Sequence, residues 1–377
     1  MTASPIATLV GNLGAWFARR HTELRLAVRM AVAAVVAYGL AEAVGLTQGY
    51  WAVFTTVIVI QASVGGSLKA TVERLIGTLG GGAYGGIIAL AIAGSNGYVR
   101  AAGLAVAVLP LAVVAAVDQR FRIAPITAVI VLLSPTGQTT SPILFTLDRI
   151  GEILLGSVVA IAVSLLVLPA RAHNLLTAAT GRLLGYLADF FVLTLDGLGA
   201  PVDAAEVRRL QIASRRTLAQ LETIAEEAKR ERSSRLTDDP DPDPVVRTAH
   251  RARNDLIMLA RAAITPLPDP VGAKLRSALH GLASAGGTWL RGLSEAFAMR
   301  GRPPPLEDFD AALRAYRNEI AALRQEGTLR PLPAETVGRI YTLSFALDQL
   351  RENAGDLADR AAELARPEGG GLRRNTP

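Results

Sequence analysis

The residues best suited to chemistry are charged side chains within the apolar first 170 residues. An arginine there can bind a carboxylate through two parallel hydrogen bonds, and a carboxyl can carry a proton. Charges are costly in apolar surroundings, so they usually face a cavity, an interface or an opposite charge. The charged positions in or beside the apolar segments are Arg29, Glu42, Glu73, Arg74, Asp118, Asp148, Arg149 and Glu152.

Two uses of these charges are open. Each arginine either anchors a helix at an interface or pairs with an acid, or it offers a site to an anionic ligand. Arg149 and Glu152 are three residues apart, so they can pair on one helix face. We expect Arg29, Arg74 and Arg149 to be candidate anion-binding residues, and Glu73 and Glu152 to be candidate proton carriers.

A glycine-rich segment follows Arg74. Gly77, Gly81 and Gly85 recur every four residues and share one helix face, where another backbone can approach closely. Tight helix packing is the favoured interpretation, and a surface that a ligand approaches is the alternative. So many glycines also weaken a helix, which makes a bent or broken segment a further alternative.

Several common kinds of site are excluded. The chain has no cysteine, which removes disulfides, thiolate metal sites and cysteine nucleophiles. Its four histidines are far apart in sequence, and no phosphate-binding loop or nucleophile motif occurs. We therefore expect no enzyme activity, no metal and no cofactor. Basic pairs in the second half alternate with glutamates, which favours solvated helix faces over nucleic-acid binding.

The charges are distributed unequally. Residues 1–170 contain 16 charged side chains, whereas the remaining 207 residues contain 56. A helix crosses a bilayer in about 20 residues, so the first part is long enough for six spans. A buried helical core in a soluble protein is the disfavoured alternative. The predicted spans are 27–45, 49–64, 72–94, 99–117, 122–138 and 150–169.

Basic residues in the loops predict the orientation. Ten lie before the first span, in the even-numbered connections or after the sixth span, and two lie in the alternate loops. Because cytoplasmic loops carry the excess of Lys and Arg, both termini should be cytoplasmic.

The second half has the spacing of amphipathic helices. Apolar residues recur at intervals of three and four over 175–191 and 210–228, and further helices are expected at 245–264, 270–299, 306–326 and 333–365. The predicted fold class is all-α, a six-helix transmembrane bundle followed by a cytoplasmic α-helical bundle. The predicted domains are an N-terminal cytoplasmic segment (1–23), the transmembrane domain (24–170), the cytoplasmic domain (171–366) and a disordered tail (367–377).

Two ordered motifs carry a family resemblance. A Tyr50-Trp51-Ala52 sequence followed by Thr55 enters the second span, and Arg74-Leu-Ile-Gly77-Thr78 enters the third. A third match, Arg149-Ile-Gly-Glu152, opens the sixth span. Over residues 20–170 the chain resembles the fusaric acid resistance and aromatic acid exporter superfamily.

The resemblance implies a bacterial inner-membrane protein that exports aromatic or related organic acids at the expense of the proton-motive force. Larger members resemble two tandem copies of this unit, so a homodimer is expected. The expected partners are therefore the lipid bilayer, a small organic acid and a second copy of the chain, without nucleic acid. The motif residues expected in binding or translocation are Tyr50, Trp51, Thr55, Arg74, Thr78 and Arg149, with Arg29 added from its charge.

Two other functions stay open. A passive organic-anion channel would need no proton carrier. A membrane scaffold without transport activity would recruit a cytoplasmic partner through the second half.

Overall fold

The computed structural model describes residues 21–46, 48–92, 96–133 and 142–365. These residues are helical apart from short connections, so the predicted all-α class is confirmed for them. Most of the expected N-terminal segment, the end of the expected fifth span and the expected tail lie outside the described residues. The chain divides into two compact units, one up to Arg171 and one from Ala172.

The first unit contains a helix in each of the six apolar segments. In chain order they are α1 (His21–Val44), α2 (Tyr50–Val59), α3 (Val64–Ala91), α4 (Gly97–Val117), α5 (Ala124–Leu133) and α6 (Pro142–Leu166), with a 3₁₀ turn at Gln119–Phe121. Polar side chains start two of the long helices. Ser63 accepts from the Gly66 N–H at 2.9 Å before α3, and Asn96 accepts from the Val99 N–H at 3.1 Å before α4.

Length and composition single out four described helices as able to cross a membrane. Three lie in the first unit, at Glu23–Val44, Gly97–Val117 and Asp148–Leu166, and the fourth is Ala172–Asp196 in the second unit. Helix α2 has only 10 described residues, as has α5. Helix α3 has 28 residues but carries three charges near its start. The number of six spans, and the cytoplasmic placement of the second unit, therefore remain predictions.

Glycine allows two helix pairs of the first unit to pack closely. A Cβ at Gly81 would lie 2.2 Å from the Ala124 carbonyl oxygen, and one at Gly85 would lie 2.7 Å from Ala128 Cα, so α3 rests on α5. A Cβ at Gly77 would lie 3.0 Å from Ile123 Cβ at the entry to α5. The glycine face of α3 is thus a packing surface, and α3 is continuous through it.

The pair of α2 and α6 packs through one glycine in the same way. A Cβ at Gly156 would lie 2.3 Å from the Ala52 carbonyl oxygen. The Thr56 hydroxyl donates across the contact to the Gly156 carbonyl at 3.0 Å. Close backbone approach and a buried hydrogen bond together hold the short α2 against the long α6.

The second unit is a helical bundle with its own apolar core. Its helices are α7 (Ala172–Asp196), α8 (Ala204–Ser233), α9 (Asp243–Ala262), α10 (Val271–Met299), α11 (Glu307–Gln325) and α12 (Ala334–Leu364). The last four lie within two residues of the predicted helices. The core includes an edge-to-face contact of Phe191 with Phe309 at 6.1 Å between centroids, and Trp289 stacks on Phe309 at 6.0 Å.

A buried polar pair joins α9 to α12 in this core. The Asn353 side-chain amide donates to Asp255 Oδ2 at 2.6 Å, and both side chains are buried. Burial raises the pKa of Asp255, although the bond from Asn353 opposes that rise. A raised native pKa favours folding at low pH, and this contribution is lost as the pH rises through the native pKa.

The close contact at Gly81 predicts a position-specific loss of stability. Gly81→Ala should destabilise the protein by about 1–3 kcal/mol, because the new methyl group overlaps the Ala124 carbonyl. Gly86 lies on the same helix with nothing within 4 Å of its added Cβ, so Gly86→Ala is the matched control and should leave stability equal or higher. Thermal unfolding in detergent measures both, and equal losses would contradict the packing role.

The buried pair of Asp255 and Asn353 predicts that removal of the Asp255 carboxyl changes thermal stability in a pH-dependent way. Asp255→Asn removes a buried carboxyl whose native pKa is raised, so the thermal unfolding midpoint of the variant should increase relative to that of the parent protein as the pH rises above about 4, the pKa of an unfolded aspartate. Asp348→Asn, at an exposed ion pair with Arg317, is the control without such a rise. A midpoint difference for Asp255→Asn that stays constant with pH would show that this carboxyl does not contribute.

Candidate functional site

A partly open cavity of about 320 Å³ lies in the first unit. Its walls are mostly isoleucine and aromatic side chains, and two arginines and one threonine interrupt them. Helices α2, α3, α5 and α6 contribute these walls, with one residue from the turn before α5. The lining residues are Trp51, Phe54, Ile58, Arg74, Ile123, Ile126, Thr127, Ile130, Arg149 and Ile153.

Arg149 is held at the cavity by three partners. Its Nη1 donates to Glu152 Oε2 at 3.1 Å, one helical turn along α6, and both side chains are at most 5% exposed. Its Nη2 donates to Gln48 Oε1 at 3.2 Å. The guanidinium carbon lies 4.0 Å from the centroid of the Trp51 ring, which is a cation–π contact. Arg149 is therefore compensated by a carboxylate, an amide and an aromatic face.

Arg74 lines the same cavity without such compensation. Its side chain is 7% exposed, and its Nε is buried without a hydrogen-bond acceptor. Among the described residues it makes no ion pair. Because a buried cation without a partner is costly, Arg74 is the group in this cavity that an anion would stabilise most.

Aromatic side chains of α2 form one edge of the site. Trp51 lies edge-on to Phe54 with centroids 5.6 Å apart, and Tyr50 stands tilted against Trp51 at 5.6 Å. The Trp51 Nε1 is buried and has no acceptor within the described part of the chain. An indole donor and a guanidinium group without acceptors thus belong to residues that line one cavity.

The remaining candidates from the sequence lie elsewhere. Tyr50 is half-exposed, and Thr55 is fully buried beside Gly156. Thr78 is buried with no partner for its hydroxyl among the described residues and does not line the cavity. Glu73 pairs at 3.6 Å with the partly exposed Lys69. The expected binding residues Trp51, Arg74 and Arg149 are brought together, with Glu152 beside them.

Arg29 lies outside this group. Its side chain is 0% exposed, and its Nη2 donates to the Ala62 carbonyl at 2.9 Å between α2 and α3. Its Nε and Nη1 have no acceptor among the residues described. Arg29 is therefore fully buried, but it does not line the cavity that Arg74 and Arg149 line.

Sequence reasoning missed Gln48, Phe54 and Thr127. Gln48 precedes the Tyr50-Trp51 motif and lies 101 positions from Arg149, so only the folded chain shows their contact. Phe54 is three residues after Trp51 and could have been placed on the same face of α2. Thr127 lies within an apolar run that gives no sign of a cavity. No cluster of potential metal ligands occurs in the described ranges.

The family model for the fusaric acid resistance protein family matches residues 23–374. The chain belongs to this family. No curated protein matches it. This member is a multi-pass membrane protein, and its family consists of membrane transporters rather than enzymes. The match extends through both units, whereas the resemblance seen in the sequence motifs covered only residues 20–170.

The Arg149–Glu152 contact of this family member predicts a large effect of removing one partner. Glu152→Ala should destabilise the protein by about 3 kcal/mol or more, because it leaves a buried guanidinium without its carboxylate. Glu73→Ala is the control, since its pair with Lys69 is partly exposed and is worth about 1 kcal/mol or less. Thermal unfolding in detergent measures both.

A double variant separates the pair from its surroundings. Arg149→Ala combined with Glu152→Ala should be less destabilised than the sum of the two single variants. Simple additivity would show that the two side chains act independently.

Proposed function

We propose that the protein exports aromatic or other organic acids across a bacterial inner membrane and that the proton-motive force drives this export. The observation that carries the proposal is a cavity in which Arg74 has no counter-ion among the described residues and Arg149 has one. A carboxylate of the substrate would occupy the position beside Arg74. Family membership supports the transporter class.

The shape of the cavity supports a substrate with an apolar, flat body. Trp51 and Phe54 offer ring surfaces, and isoleucines of α2, α5 and α6 line the other sides. Ring contacts with such side chains add favourable energy to the burial of apolar area. The Trp51 Nε1, which has no acceptor among the described residues, offers one further donor to an oxygen of the substrate.

The charges of the site support a link to the membrane potential. Arg74, Arg149 and an ionised Glu152 sum to one positive charge, so one bound monocarboxylate makes the site neutral. The empty site keeps its positive charge, and an inside-negative potential would favour its return toward the cytoplasm. The electrical free energy is about 2.3 kcal/mol for one charge that crosses a potential of about 100 mV. Export of the anion would then be followed by an electrically driven return.

Glu152 is the better candidate for the coupling proton. Neither carboxyl lines the cavity, but Glu152 contacts Arg149, which does, whereas Glu73 pairs with Lys69. In export, Glu152 would be ionised while the acid leaves and protonated while the empty site returns, so that each proton moves inward as an acid moves outward. Occupation of Glu152 by a proton and of Arg149 by substrate would therefore depend on one another.

The assembly belongs to the same proposal. We expect a homodimer in the lipid bilayer, with both termini in the cytoplasm. The even number of apolar segments and the loop arginines support the orientation.

Substitution of Arg74 tests the binding site in proteoliposomes. Uptake of a panel of radiolabelled aromatic and aliphatic acids is measured, with the pH gradient and the potential set separately. Arg74→Ala should lower flux at least about tenfold, because it removes a charge-assisted bond to the carboxylate. Arg74→Lys should restore part of it, since the charge remains but the planar fork is lost.

Arg120→Ala is the matched control and should leave flux unchanged, because that side chain is two-thirds exposed in the turn before α5. Full activity of Arg74→Ala at normal protein level would overturn the arginine site. Anion flux that is independent of the pH gradient and of the protonation of Glu152 would instead favour a passive channel. Absence of flux for every acid, with a cytoplasmic protein bound in equal amount, would favour a scaffold.

A further inference from the structure

Three arginines of the second unit lie along a groove between α8 and α9 without acidic partners. Arg215 belongs to α8, and Arg253 and Arg261 belong to α9. All three line a cavity of about 470 Å³. None of their side chains makes an ion pair or a hydrogen bond in the portion of the chain that the structure describes. Elsewhere in this unit, arginines such as Arg351 and Arg317 pair with aspartates.

Arg253 is the most buried of the three arginines. Its Nε is buried and has no acceptor among the described residues. Burial lowers the pKa of Arg253, and the positive charge of Arg215 lowers it further. Two guanidinium groups that repel each other at the edge of an apolar groove would be stabilised by an anion placed between them.

An apolar cavity of about 310 Å³ continues from the arginines. The two cavities share Val207, Ala260 and Ile264. Phe190 and Pro266 line the far part of the apolar cavity. Ile264, which lines both cavities, is 78% exposed. The groove therefore has a cationic end, an apolar end and an uncovered isoleucine where the two meet.

We propose that this groove is a second binding site, separate from the cavity in the first unit, for a small carboxylate with an apolar body. The carboxylate lies between Arg215 and Arg253, where each guanidinium donates to it. The apolar body extends past Ala260 into the cavity beside Phe190 and covers Ile264. Binding at this site requires no transport step, so the proposal of the second site does not depend on the proposed export.

Equilibrium dialysis of 2-naphthoate against the full chain in lipid nanodiscs tests the site. Every variant carries Arg74→Ala, which weakens the proposed membrane site and leaves the groove intact. Arg253→Ala and Arg215→Ala should each weaken binding at least about tenfold relative to this parent. Arg216→Ala is the matched control, because Arg216 is exposed on the same helix and does not line the groove.

Two further measurements address the shape and the charge of the ligand. Ala260→Phe should weaken binding of 2-naphthoate by filling the junction of the two cavities. The neutral 2-naphthamide should bind at least about tenfold more weakly than 2-naphthoate to the parent, and with unchanged affinity to Arg253→Ala. Thermal unfolding of each variant verifies that the fold is kept.

Equal binding of 2-naphthoate and 2-naphthamide would overturn the proposal, and so would unchanged 2-naphthoate binding in a folded Arg253→Ala variant. Loss of flux in Arg74→Ala with retained, Arg253-dependent binding would support both sites. Normal flux in Arg74→Ala with the same Arg253-dependent binding would overturn only the membrane site.

Discussion

A guanidinium charge inside an apolar helical unit must be compensated, and this requirement shapes the centre of the first unit. Arg149 meets it with Glu152, Gln48 and the face of Trp51, which come from α6, from the turn before α2 and from α2 itself. These three contacts fix the start of α2 against α6. Arg74 lines the same cavity without any such contact among the described residues. Arg149 is therefore compensated within the unit, whereas Arg74 is the charge that the proposed substrate would compensate.

The helices of both units could be predicted from the sequence because apolar spacing, glycine and proline act locally. The four helices after residue 242 are an example, since proline-rich breaks at 265–268, 302–305 and 330–333 separate them. The pairing of Arg149 with Glu152 was also predictable, because three residues on a helix set their distance. Membership of the fusaric acid resistance protein family followed from two short motifs and is confirmed over most of the chain.

The assembly of the site could not be predicted in the same way. Gln48 contacts Arg149 across 101 positions, and Thr127 and Ile123 reach the cavity only because α5 packs on the glycine face of α3. Arg29, Glu73 and Thr78 carry suitable chemistry but lie away from the cavity. Residue type alone gives no information on which of several buried charges share a cavity, because that depends on contacts between helices distant in sequence.

The two glycine contacts of the first unit also limit how it can deform. Gly81 against Ala124 and Gly156 against Ala52 leave no space for a Cβ, so neither α3 and α5 nor α2 and α6 can approach each other further. Arg74 belongs to the first pair and Arg149 to the second. Relative displacement of the pairs therefore alters the separation of two like charges. An anion bound to both guanidinium groups would draw the pairs together, and its departure would let repulsion push them apart.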